Sequence, residues 1–185
     1  LTPGIDRPGC ADDAPPNRGA NIWVGAAYVF VRNGTTWSEQ TFIKAPNARP
    51  YNSFGVRLDL SGDGNTLAVS AYLEDNGGRG IRPPMVQQFL IQDMLNGWRE
   101  HRNEAEESGA VYFYTRSGTR WTAGAWVKAA NADAGDEFGS SVALSTDGHV
   151  MVVGAHGEDS AATGINGNQA DNSADDSGAA YVFVY

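Results

Sequence analysis

Short runs of β-branched and aromatic residues recur along the chain, each opened by a glycine: Tyr28-Val29-Phe30-Val31, Val111-Tyr112-Phe113-Tyr114 and Tyr181-Val182-Phe183-Val184. Such runs predict strands. The first two lead into Asn33-Gly34 and Ser117-Gly118, residues that tolerate positive φ, and Trp37 or Trp121 then opens a return strand ending near Lys44 or Lys128. That predicts a hairpin, with Asn33-Gly34 at a type I′ turn. A second hairpin is predicted from Phe54 to Leu60, through Ser61-Gly62-Asp63-Gly64, and back along Leu67-Ala68-Val69. Its counterpart runs from Phe138 to Leu144, through Ser145-Thr146-Asp147-Gly148, into Met151-Val152-Val153.

These hairpins belong to an internal repeat. Residues 25–75 overlie residues 109–159 at a shift of 84, with 21 of 51 positions identical. The register lapses after Asp75 and returns at Gly178, where Gly178–Val184 repeats Gly25–Val31 residue for residue. Each unit thus reads as four antiparallel strands with apolar residues on both faces, a sheet sandwiched between neighbouring sheets.

Phe54-Gly55 and Phe138-Gly139, followed by Val142-Ala143-Leu144-Ser145 and Val153-Gly154-Ala155, resemble the FG-GAP repeats of integrin α-chain β-propellers and their bacterial secreted relatives. The resemblance covers nearly the whole chain and implies an all-β fold of propeller blades, just over two in number. Residues 1–45 would end one blade, 54–128 would form a full blade with an insertion at 81–107, and 138–185 would begin a third. It also implies a secreted or cell-surface adhesion module whose ligand is an extracellular protein or a glycan. Unpaired sheet edges would be met by neighbouring blades, from a longer chain or from other copies. Integrin-type blades often carry a calcium cage in the hairpin after the FG strand. Here the corresponding segments, 61–65 and 145–149, offer one carboxylate each, Asp63 and Asp147, too few for a hard cation, and these read as turn residues.

The insertion has a different pattern. Val86, Phe89, Leu90, Met94 and Trp98 fall at helical spacing after Pro84, predicting an amphipathic helix around 84–96.

Charge adds a second feature. The chain has 185 residues and a net charge of -9, which disfavours nucleic acid, and no apolar run long enough to span a bilayer. The longer connections, predicted to share one face, hold 18 of the 22 acids and 7 of the 13 bases. On this acidic face the candidate partner-binding residues are Glu74, Asp75, Trp98, Asp133, Asp136, Glu158 and Asp159. Glu74-Asp75 and Glu158-Asp159 recur in both copies, which also suits a structural task such as accepting backbone N–H bonds. Asn166, Asn168, Asp171, Asp175 and Asp176 form the richest group of oxygen donors, the candidate calcium site and the one cofactor suggested.

Cys10 is the only cysteine, so an intrachain disulfide is excluded. The chain opens on Leu1 and reads as processed or cut from something longer. Asn33-Gly34-Thr35 is a glycosylation sequon as well as a turn. No nucleophile-elbow, phosphate-loop or zinc-protease motif is present, so the expectation is a non-catalytic binding module. A lectin-like propeller with stacking residues such as Tyr51 and Trp98 is the alternative, and a hydrolase or lyase using Glu158 and Asp159 is the third reading.

Overall fold

Ten strands make up three antiparallel sheets in a computed structural model, which describes residues 23–83 and 105–184. The first sheet pairs β1 (Ala27–Asn33) with β2 (Thr36–Ile43). The second has the order β3-β4-β6-β7-β5, from β3 (Leu58–Leu60), β4 (Thr66–Ala71), β5 (Ile81–Arg82), β6 (Ala110–Ser117) and β7 (Arg120–Val127). The third runs β8 (Phe138–Leu144), β9 (Val150–Ala155), β10 (Ala179–Val184). This is part of a β-propeller: the end of one blade, a whole blade and three strands of the next. The helix expected around 84–96, and Trp98 with it, lie outside the described residues.

Period-two alternation explains the layering. In β4, Leu67, Val69 and Ala71 face the first blade while Ala68 faces the third, and in β6 Ala110, Tyr112 and Tyr114 oppose Val111 and Phe113. One strand therefore feeds two cores. Each core is completed from the adjoining blade, by Ala27 and Ile43 on one side and by Phe138, Met151 and Val153 on the other. The FG phenylalanines anchor these seams, Phe54 edge-on to Tyr112 at 5.7 Å and Phe138 to Tyr181 at 5.4 Å.

The glycine before the first two aromatic strands has a steric cause. Gly25 (φ +76) and Gly109 (φ +80) lie against the backbones of Phe54 and Phe138, where any Cβ would collide with the phenylalanine carbonyl oxygen. The residue two places earlier is also left-handed in all three copies: Trp23 (φ 57), Glu107 (φ 55) and Asp176 (φ 52).

Three details depart from the sequence reading. Asn33 pairs with Thr36 and Ser117 with Arg120, so the turns centre on Gly34-Thr35 and Gly118-Thr119. Only the glycine has positive φ, the signature of a type II′ turn rather than the expected Asn-Gly type I′. The strand expected from Phe54 shrinks to Leu58–Leu60, with Phe54 reduced to an isolated bridge to Gly25. Finally, β5 is an unexpected fifth strand, two residues that pair with the outer strand β7.

Candidate functional site

Tight hairpins gather at one end of the blades, where Gly62 N–H donates to the Thr146 carbonyl at 2.8 Å. The longer connections gather at the other end. There Gly135 N–H donates to the Glu106 carbonyl at 2.8 Å, and Arg79 pairs with Asp133 at 2.9 Å.

Asp63 and Asp147 are the expected turn residues. Asp63 Oδ1 accepts from Ser61 Oγ at 2.6 Å and from Asn65 N–H at 2.9 Å, and Asp147 repeats this with Ser145 and His149. The serine hydroxyl bonds hold both carboxyls below their ordinary pKa.

On the long-loop face, the recurring Glu-Asp pairs divide between two tasks. Glu74 and Glu158 are buried braces. Glu74 accepts from Lys128 Nζ at 2.6 Å, Asn47 Nδ2 at 3.1 Å and Asn76 N–H at 3.1 Å, while Asn47 Oδ1 accepts from the Tyr112 hydroxyl at 2.7 Å. Glu158 accepts from Asn131 Nδ2 at 2.9 Å and the Tyr181 hydroxyl at 2.8 Å. Burial lifts the Tyr112 and Tyr181 hydroxyls well above their ordinary pKa. It pulls the Lys128 ammonium down, against the attraction of Glu74. Asp75 and Asp159 each accept a backbone N–H, from Glu107 at 3.0 Å and from Asp176 at 2.8 Å. These are the left-handed positions two before the strand glycine, so each aspartate fastens the return loop.

The candidate partner residues therefore separate. Glu74, Asp136 and Glu158 are buried and have no surface to offer, whereas Asp75, Asp133 and Asp159 are partly exposed. Asp136 Oδ2 accepts from Asp133 N–H at 2.7 Å. Burial pushes its pKa up to about 6, opposed by that N–H and reinforced by Glu158, Asp133 and Asp159.

The candidate calcium loop is not drawn to a point. Asn168 Oδ1 accepts from Ala170 N–H at 3.2 Å and Asp171 Oδ1 from Ser173 N–H at 3.1 Å, both local Asx turns, while Asn166 is exposed with φ 56. Asp175 is exposed, and Asp176 is fastened to Asp159 through its N–H. Among the described residues no three of His, Cys, Asp and Glu come together to hold a metal ion.

Sequence reasoning missed the partners of the buried acids: Lys128, Asn47, Asn131, Tyr112 and Tyr181. The signal was there, since Lys44/Lys128 and Asn47/Asn131 are identical across the repeat. No helix among the described residues is long and apolar enough to cross a membrane. Residues 121–183 match the FG-GAP repeat family. No curated protein matches the chain.

Proposed function

The chain carries an FG-GAP repeat within propeller blades, and on that premise we propose that it is a non-catalytic binding or adhesion module working outside the cell or at its surface. The observation that carries this reading is the closure of Glu158. Its two carboxylate oxygens are taken by Asn131 and Tyr181 in a buried brace that Glu74 repeats one blade earlier. An acid used twice for the same structural purpose is a poor general acid, which sets the hydrolase or lyase reading aside. Asp75, Asp133 and Asp159 then belong to a solvated acidic face suited to a protein or glycan partner.

The test is solid-phase binding of labelled chain to immobilised extracellular proteins and glycans. Saturable binding, competed by unlabelled chain, is expected. Polysaccharide turnover that disappears in a folded Glu158→Gln variant, or absence of saturable binding across the panel, would overturn the reading.

A further inference from the structure

Between the inner strands of the second and third blades, on the long-loop side, lies a pocket of about 540 Å³. Its walls are repeat-equivalent positions. Arg57 corresponds to Ser141, Tyr72 to His156 and Val56 to Ser140; Glu137, whose repeat equivalent Ser53 lies outside the pocket, completes the lining. The braces and anchors around it are identical between copies, as with Glu74/Glu158, Asn47/Asn131 and Phe54/Phe138. Every pair that meets the pocket differs in chemistry. The repeat architecture therefore fixes where these side chains stand and does not account for what they are.

The chemistry present selects a ligand class. Arg57 is held at the seam by Nε–H to the Ser140 carbonyl at 3.1 Å and Nη1–H to the Val56 carbonyl at 3.1 Å. Its remaining N–H groups suit a carboxylate. Glu137 Oε2 lies 3.5 Å from His156 Nδ1. Ser140 Oγ donates its proton to the Gly154 carbonyl at 3.1 Å and so can only accept from a ligand. With it and the Ser141 hydroxyl, the pair of Glu137 and His156 suits hydroxyl groups, which both donate and accept. The Tyr72 ring supplies an apolar face. A dianionic phosphate is disfavoured by Glu137, and an apolar ligand would strand several polar groups. The volume lies within the range of about 300–1,000 Å³ common to small-ligand sites.

We propose that this pocket binds an acidic sugar, a hexuronate whose carboxylate pairs with Arg57 and whose hydroxyls meet Glu137, Ser140, Ser141 and His156. This rests on the binding-module reading and specifies its ligand. The experiment is a ligand-detected NMR titration with methyl β-glucuronide, using methyl β-glucoside as the neutral control. Arg57→Ser and Tyr72→His install residues that the equivalent positions of the next blade already carry, so both are compatible with the fold. Glucuronide should saturate below about 10 mM, with glucoside and the Arg57→Ser variant at least about tenfold weaker. The melting midpoint of each variant should stay close to that of the parent chain. Equal affinity for glucoside, full binding by Arg57→Ser, or no glucuronide binding would overturn the proposal. If solid-phase binding to extracellular targets survives that result, the module reading stands and only the pocket assignment fails.

Discussion

Asp136 shows how one position can carry the pH response of the fold. Its equivalent in the preceding repeat is Asn52, also buried, whose Oδ1 meets no hydrogen-bond donor among the described residues. An amide therefore already fits this site. Because the folded pKa of Asp136 is raised from 3.8 to about 6, the native state favours the protonated acid. Its contribution to stability is greatest below the unfolded pKa and is lost as pH rises through the folded value. Stability should thus gain from this group as pH falls from about 6 toward 4. Asp136→Asn should flatten that slope and raise stability at neutral pH by about 1–2 kcal/mol. Urea unfolding of both proteins at pH 4.5 and 7.5 checks this, and an unchanged pH slope would refute it. Lys128 and Glu74 illustrate the opposite case. Both are buried and paired, and losing either would leave a buried charge without its partner.

At the scale of elements, the controlling contact lies between the start of each aromatic strand and the FG segment that follows. Gly109 and Gly118 both have positive φ, +80 and +62, but only Gly109 faces a neighbouring backbone, that of Phe138. Gly118 caps a hairpin where, among the described residues, nothing lies within 4 Å of where a Cβ would stand. Gly118→Ala should therefore cost about 1 kcal/mol, the left-handed penalty alone. Gly109→Ala adds a backbone collision inside the seam and should cost more than about 3 kcal/mol. Urea midpoints of the two variants separate these effects. Equal losses would show that conformation, and not close approach, fixes the glycine. The seam was partly legible in the sequence, because Gly25/Gly109 and Phe54/Phe138 recur together. Their contact was not, since the partners lie 29 residues apart and only the sheet packing brings them together.

For the whole molecule, the central strands β4 and β6 of the middle blade set the standard for a satisfied sheet: both of their faces are buried along most of their length. The outer faces of its neighbours are not. Tyr28 is 49% and Phe30 51% exposed on one side, and Val182 63% and Val184 75% on the other. These alternate with residues packed, wholly or partly buried, into the two seams, so they have the pattern of a sheet face awaiting a neighbour. Further blades, from a longer chain or from other copies, are the partners we propose for them. Purified alone, the 185-residue chain should sediment as species heavier than 19.7 kDa. Val182→Thr combined with Phe30→Thr should shift it toward monomer. A parent chain that remains monomeric at about 100 μM would argue against apolar association.

The sequence by itself determined the repeat, the strand class, the four strands β3, β4, β6 and β7 of the middle blade though not β5, and the turn role of Asp63 and Asp147. These rest on local rules, namely period-two alternation, positive-φ tolerance and short-range side-chain bonds, all of which act within a few residues. It also marked Glu74 and Glu158 as paired in purpose. What they are paired with was decided by the tertiary structure: Lys128 reaches Glu74 across 54 residues, and Tyr181 reaches Glu158 across 23. Burial decided the rest. The same acidic count along the long loops divides into enclosed braces and exposed carboxylates, and no linear pattern distinguishes them. The pocket of Arg57, Tyr72 and Glu137 exists for the same reason, because blade stacking aligns equivalent positions of two repeats and leaves space where their side chains differ.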